Sequence, residues 1–557
     1  MRAVKSKIIC RINTNVSIIV VLFILSSCNR AVPEPESKSK PNIILIVADD
    51  LGYGDLGCYG ATKIQTPAID SLARQGLKFT DAYASSSMCS PSRYSILTGR
   101  YSWRTRLNYG VLKYFDKPLI EQNRTTLASL LKRNGYYTAC VGKWHLGMDW
   151  SLNDNAPDHP NKTVFNSWNT NTYEFIDYSE PIKNGPCDRG FDYFYGMAGS
   201  NNMQPYVIIE NDRVTEPPTE IQSKPYDHYH NVLRASNWDI RTLNIDFTNK
   251  AVDVIDSHFQ EHSKEPLFLY FPASAPHRPC LPTFTKGNSQ AGLRGDVIEE
   301  LDWSVEQIVN ALKRNGVFDN TLLVFTSDNG PRAGDPVTWL DIYKSDGYED
   351  CLPDSYELYE PELVNENGNK IWKKGWITYD HSASGELLGY KSDAWEGGFR
   401  VPLIINWPAK IIGGSETSNM VCLSDLFSTF AEIIGDTLKA SEGEDSYSFL
   451  PNLIDKKFEQ VRNSLILSGG ASGAFVCIKD GWKYIEAAVP GRWPETFYPD
   501  GPKNTDYQLY NLVSDVSEQN NVYDDYPDKI MEFEELIKEV KSKKKSETKN
   551  SIFINQY

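Results

Sequence analysis

Positive charge is in short supply. Lys and Arg number 57 against 73 Asp and Glu, a formal net charge of −16 over 557 residues. Such a chain has no bulk field to gather anionic polymers, so an anionic substrate must be met by a local cationic pocket. The same balance weighs against nucleic acid as a partner. The ten cysteines include no CxxC pair and no zinc-ligand spacing, which removes the usual structural-zinc and redox motifs. No internal repeat or low-complexity block occurs. The apolar run from Val16 to Leu25 is too short to span a bilayer as a folded helix.

That run does have a meaning. Arg2, Lys5, Lys7 and Arg11 precede it, and Leu25-Ser26-Ser27-Cys28 closes it. The arrangement resembles the lipobox of bacterial lipoproteins. It implies a signal peptide over residues 1–27 and a mature chain that begins at a lipid-modified Cys28. Residues 28–40, with Pro33, Pro35 and alternating charges, read as a tether. The expectation is an exported bacterial lipoprotein, held to a membrane through Cys28 and facing the periplasm or the cell surface. The Lys-rich end, Lys538 to Lys549, reads as a solvated tail.

The rest is globular: 40% hydrophobic and 12% aromatic. The 31 Tyr and 13 Trp are either core and rim residues or platforms on which sugars stack. Ile43 to Ala48 is a continuous apolar run, the pattern of a strand buried on both faces of a parallel sheet. It ends in Asp49-Asp50. Two acids at the end of a buried strand are costly unless a cation pairs them, so they read as metal ligands. Thr66 and Pro67 open a helix that Gly76 ends, and Leu77 to Tyr83 reads as one strand. A strand over 136–141 leads to Lys143 and His145. A strand over 267–271 leads to His277, and one over 322–326 leads to Asp328-Asn329. Lys391 precedes a strand at 403–407, and Ser424 reads as the cap of a further helix. Residues 148–240 and 331–390 read as loop-rich rims. From about 460 the texture changes. Phe475 to Ile478 and Trp482 to Ile485 flank Asp480-Gly481, a hairpin signal, and a helix over 529–540 follows. The alternation predicts an α/β fold whose polar residues collect at strand ends. The domain reading is a catalytic domain over 41–459 and a C-terminal subdomain over 460–557.

The most specific stretch is Cys89-Ser90-Pro91-Ser92-Arg93-Tyr94-Ser95-Ile96-Leu97-Thr98-Gly99. Its pattern, C-x-P-S-R-x-x-x-L-T-G, resembles the signature of the type I sulfatases. That resemblance implies an alkaline-phosphatase-like fold: a large mixed, mostly parallel sheet flanked by helices, with a smaller C-terminal antiparallel sheet plus helix. It implies that a formylglycine-generating enzyme oxidises Cys89 to formylglycine, whose hydrate attacks sulfur. Matched position by position, Asp49, Asp50, Asp328 and Asn329 are the family's metal ligands, with the formylglycine from Cys89 completing the shell. Oxygen ligands of this kind suit Ca²⁺, or alternatively Mg²⁺. Arg93 matches the residue that supports the nucleophile. Lys143 and Lys391 match the sulfate-binding lysines, and Lys391 heads the family's K-x-x-x-x-E-G-G element with Glu396-Gly397-Gly398. His145 matches the histidine bonded to the diol, and His277 the one that protonates the leaving oxygen.

The expected activity is hydrolysis of sulfate esters on a sulfated polysaccharide or its oligosaccharides. Algal ulvan, carrageenan and glycosaminoglycans are examples. Two other readings stay open at this point: a phosphonate monoester or phosphodiester hydrolase of the same superfamily, and a non-catalytic surface glycan-binding lipoprotein.

Overall fold

A computed structural model describes residues 40–113, 115–156, 175–222, 232–262, 264–332, 363–364, 370–371, 381–454, 460–469, 473–486 and 507–543. The signal and tether assignments over residues 1–39 lie outside the described residues, as does the Lys-rich end from 544 onward.

Ten strands make the main sheet. They are β1 (Asn42–Ala48), β2 (Leu77–Phe79), β3 (Tyr137–Lys143), β4 (Tyr193–Met197), β5 (Ile209–Glu210), β6 (Arg213–Val214), β7 (Leu267–Pro272), β8 (Thr321–Ser327), β9 (Leu403–Asn406) and β10 (Ser415–Thr417). Their order across the sheet is β10-β2-β9-β8-β1-β7-β3-β4-β5-β6. The centre is parallel: β1 pairs with both β7 and β8, β7 with β3, and β3 with β4. Every residue of β1, β7 and β8 is buried, which is why these strands are apolar without alternation. Parallel strands put their carboxyl ends on one edge. The segments after β1, β3, β7 and β8 therefore converge there.

Two groups of helices cover the sheet. In one, α1 (Pro67–Gln75), α4 (Leu243–Glu261) and α5 (Gly292–Arg314) pack together; in the other, α2 (Cys89–Thr98), α3 (Leu127–Lys132) and α7 (Leu426–Ile433) do so. A short helix, α6 (Glu396–Phe399), lies before β9. The C-terminal sheet runs β11 (Ser464–Gly469), β12 (Ala474–Lys479), β13 (Trp482–Glu486), β14 (Tyr507–Asn511), antiparallel throughout, with α8 (Pro527–Ser542) packed on it. Asp480 and Gly481, both at positive φ, make the two-residue turn of the predicted hairpin.

Four local expectations are corrected. The single strand over Leu77 to Tyr83 is two pieces: β2 joins the main sheet, while Ala82–Tyr83 pairs with Val421–Cys422. Thr66 precedes α1 but does not cap it with its side chain, because its hydroxyl is taken by the Gly57 amide. The cap comes from α5, where the Asp302 carboxylate accepts the amides of Ala68 and Ile69. Ser424 does not cap α7: it sits in a 3-10 turn and donates to the Asp445 carbonyl. The 148–240 rim also contributes three strands, β4 to β6, to the main sheet.

Candidate active site

The thiol of Cys89 opens α2 and is 1% exposed. Its Sγ lies 3.1 Å from Lys391 Nζ, 3.6 Å from Asp49 Oδ1 and 3.8 Å from Asp50 Oδ1. Lys391 Nζ also donates to both carboxylate oxygens of Asp50, at 2.6 and 2.7 Å. Lys143 Nζ donates to Asp49 Oδ2 at 2.7 Å. Arg93, one turn along α2 from Cys89, is fully buried and clamps Asp328 through Nε (2.9 Å) and a terminal nitrogen (2.8 Å). The same guanidinium reaches Asp49 at 3.5 Å and the Lys143 carbonyl at 3.2 Å. Asp328 in turn accepts the Asp50 amide, and Asn329 Nδ2 donates to Asp50 Oδ1 at 2.8 Å. All ten candidate residues are thus linked in one buried cluster or lie at its edge.

Three buried carboxylates, Asp49, Asp50 and Asp328, face three cations, Arg93, Lys143 and Lys391. Burial pushes the Asp49 carboxyl up to about 7, with Lys143 opposing and Asp328 reinforcing. For Asp50 burial acts in the same upward direction, but Lys391 and His277 outweigh it and hold its carboxyl well below the usual range. Burial also pushes the Cys89 thiol well up, with Lys143 and Lys391 opposing, so an unmodified thiol here is protonated and a poor nucleophile.

The two histidines carry defined tautomers. His145 sits at φ 55°, just after β3. Its Nε2 lies 3.0 Å from the Leu112 carbonyl, an acceptor only, so Nε2 carries the proton. Nδ1 is then a lone pair, and it is buried without a hydrogen-bond partner. Burial, with Lys143 and Arg93 beside it, keeps the ring neutral. His277 Nδ1 lies 2.7 Å from the Arg278 carbonyl and 2.9 Å from Asn201 Oδ1, so Nδ1 is the protonated nitrogen. Its Nε2 faces Asp50 at 3.7 Å. Burial holds this ring well below its ordinary pKa, with Asp50 opposing.

Asp49, Asp50, Cys89 and His277 offer ligand atoms that all lie within 4.8 Å of one another. Asn329 Oδ1 is buried with no hydrogen-bond donor. An orphaned amide oxygen beside three carboxylates is a hard, oxygen-rich donor set, which fits a divalent cation such as Ca²⁺ or Mg²⁺. Asp328, expected as a ligand, is not among the four whose ligand atoms come together; its carboxylate accepts from Arg93 and from the Asp50 amide.

Residues 41–436 match the family model described as Sulfatase. The chain belongs to the sulfatase family. Similar proteins include an N-acetylgalactosamine-6-O-sulfatase of Bacteroides thetaiotaomicron, 32% identical over 93% of this chain and 97% of that one. The human N-acetylgalactosamine-6-sulfatase is 28% identical over 74% of this chain and 66% of its own length. A solved 6S-sulfatase from a study of glycosaminoglycan metabolism by B. thetaiotaomicron superposes with a TM-score of 0.70. It is 29% identical and covers 91% of this chain and 100% of its own. The sulfatase is therefore an enzyme that hydrolyses sulfate esters, on the mixed sheet with a small antiparallel sheet expected of it.

Several parts of the sulfatase site escaped the sequence reading. Asn201 and the Leu112 carbonyl set the two tautomers, and neither lies in a motif. Behind Asp50, Arg294 of α5 donates to the Asp50 carbonyl and to Asp55, both at 2.7 Å, and His381 holds the other Asp55 oxygen at 2.8 Å. This brace fixes Asp50 at φ 65°, a conformation costly for a non-glycine residue.

Proposed function

We propose that this sulfatase removes sulfate from a glycosaminoglycan-type sugar, with 6-O-sulfated N-acetylgalactosamine as the first candidate. The names of the relatives support that class of sugar. The observation that carries the catalytic reading is the placement of Cys89 Sγ against Lys391, Asp49 and Asp50 at the N-terminus of α2. We assign Cys89 to conversion by a formylglycine-generating enzyme, and the metal to Ca²⁺, with Mg²⁺ as the alternative.

Formylglycine, once hydrated, supplies one hydroxyl that attacks sulfur and a second whose deprotonation expels sulfate as the aldehyde returns. Asp49, Asp50, Asp328 and Asn329 would hold the cation, which would supply positive charge to offset the charge that develops on the sulfate. Everything else falls to side chains of this chain. Lys143 and Lys391 place charge where the three sulfate oxygens gather it as the S–O bond breaks. Arg93 holds Asp328 and Asp49 in place. His277, its Nδ1–H fixed by Arg278 and Asn201, presents Nε2 to the site; to pass a proton to the departing sugar oxygen Nε2 must first take up a second proton, giving the charged ring that the neighbouring Asp50 carboxylate favours. His145, its Nε2–H fixed by Leu112, presents the bare Nδ1 that takes a proton from the second hydroxyl.

We further propose that the protein is an exported lipoprotein tethered to a membrane through Cys28. Cys28→Ala should release it from the membrane fraction, and unchanged retention would sink that proposal. The catalytic reading is tested in two steps. Peptide mass spectrometry of active protein should find formylglycine at 89; free thiol in fully active enzyme would overturn it. A panel of defined sulfated monosaccharides should then show 6-O-sulfated N-acetylgalactosamine turned over in preference to its 4-O-sulfated isomer. The opposite order would reassign the substrate.

A further inference from the structure

A second cleft, of about 820 Å³, lies outside the catalytic cluster, between the far end of α2 and the end of α8. Helix α2 carries Cys89 in its first turn. Ten residues at 1.5 Å each put its other end roughly 15 Å away. Arg100, Trp103 and Arg104 follow that end and line the cleft. The chain then returns through Asn108 and Tyr109, also lining it, to Leu112, which holds His145. The Asn108 carbonyl accepts from Ser468, and Ser468 bridges Ser86, three residues before Cys89. The wall of the cleft at Asn108 is thus tied, through Ser468, to the segment just before Cys89.

Its lining is opposite in sign to the chain's net charge of −16. Three arginines and two lysines line it against a single acid, Glu444. Much of that charge is already engaged. Arg104 grips buried Asp445, Arg124 grips Glu444, and Arg100 lies 3.3 Å from Glu121. Lys541 differs: its Nζ stands 4.0 Å from the Phe475 ring centroid, with no ion pair among the described residues. Aromatic surface continues the wall. Phe475 meets Trp103 edge to face at 5.6 Å, the Arg104 guanidinium lies 4.4 Å over Trp103, and Tyr109 is 63% exposed. Tyr109 and Lys541 lack the fastening role that explains the arginines.

We propose that this cleft binds an anionic glycan chain, holding sugars distant from the one whose sulfate is removed at Cys89. Cations meet sulfate or carboxylate groups, and exposed rings meet sugar faces. The proposal rests on the reading that the substrate is a sulfated sugar chain. It adds that chain length is recognised at a separate place.

Lys541→Glu and Tyr109→Ala in the full chain test it, neither residue belonging to the catalytic cluster. KM for long chondroitin sulfate should rise about tenfold, with kcat/KM on a sulfated monosaccharide unchanged and the difference shrinking at high salt. Independently of turnover, Cys89→Ala protein should be retarded in gels containing dextran sulfate, and the two cleft substitutions should relieve the retardation. Equal losses on long and short substrates would mean structural damage and overturn the proposal. So would unchanged KM and retardation, or inorganic sulfate alone competing as well as the chain does. Altered retardation in a protein that turns over no sulfated sugar would keep the cleft and remove the substrate reading. Turnover with no effect of the substitutions would do the reverse.

Discussion

His277 and His145 are both buried beside cations, yet the carbonyls they touch give them opposite faces. One presents Nε2 to the site, the other Nδ1. Their loss should therefore read differently. A sugar alcohol is a poor leaving group and needs a proton as it departs, whereas a nitrophenolate does not. His277→Ala should lose about 10²–10⁴-fold on sulfated sugar and much less on 4-nitrophenyl sulfate. Paired kinetics on the two substrates check this, and equal losses would reassign His277 to holding sulfate. His145→Ala should lose activity on both. Metal removal belongs to the same scale. Three carboxylates already face three cations, so chelation with EDTA should abolish turnover with only a modest fall in Tm. Add-back of Ca²⁺ against Mg²⁺ then names the ion; full activity after chelation would remove the metal from the mechanism.

At the scale of elements, the site is an edge effect of a parallel sheet. Ala48 pairs with Ser327 and Val47 with Pro272, so Asp49, Asp328 and the turn carrying His277 leave the sheet side by side. The Glu396-Gly397-Gly398 element supports the next residue along. A Cβ on Gly330 would stand 1.8 Å from the Gly397 carbonyl oxygen, and the Gly330 amide donates to Gly398 at 3.0 Å. Two backbones touch there, which only glycine allows. Gly330→Ala should displace Asn329, cost at least about 3 kcal/mol and remove most activity. Thermal melts and kcat on the same preparation measure it, and a wild-type kcat would refute the contact's role.

At the scale of the whole molecule, the C-terminal sheet is joined to the catalytic edge by a buried ionic seam. Lys483 of β13 lies 3.0 Å from Glu396 and 2.9 Å from Glu518, and Glu518 accepts the Glu396 amide at 2.6 Å. Apolar contacts surround it, Trp395 and Phe399 from one side and Leu465, Val476 and Ile485 from the other. Lys483→Met would strip the buried Glu396 carboxylate of this cation and should destabilise by about 3–5 kcal/mol. Chemical denaturation measures it. Burial pushes the Glu518 carboxyl up to about 8, Lys483 opposing and Glu396 reinforcing. A folded value above the unfolded 4.5 means the native state binds more protons. That contribution is full below about 4.5 and is lost as pH rises toward 8. Tm should therefore decline over that interval, and Glu518→Gln should flatten the decline. A slope unchanged by the substitution would assign the pH dependence elsewhere.

The sequence by itself determined the chemistry and its order along the chain. Unbroken apolar runs marked the central strands, because burial on both faces leaves no room for polar alternation. Costly groups just beyond those runs, Asp49, Asp50, Lys143, His277 and Asp328, marked the edge where ligands bind. The Cys89 to Gly99 pattern named the reaction. Tertiary structure decided what those groups touch. The carbonyls that set each histidine's proton, the Arg294-Asp55-His381 brace behind Asp50, the Asp302 cap on α1 and the Lys483 seam all join residues far apart in the chain. Hydrophobic period and turn chemistry are short-range signals, whereas a carbonyl or a carboxylate finds its distant partner only once the sheet has been assembled.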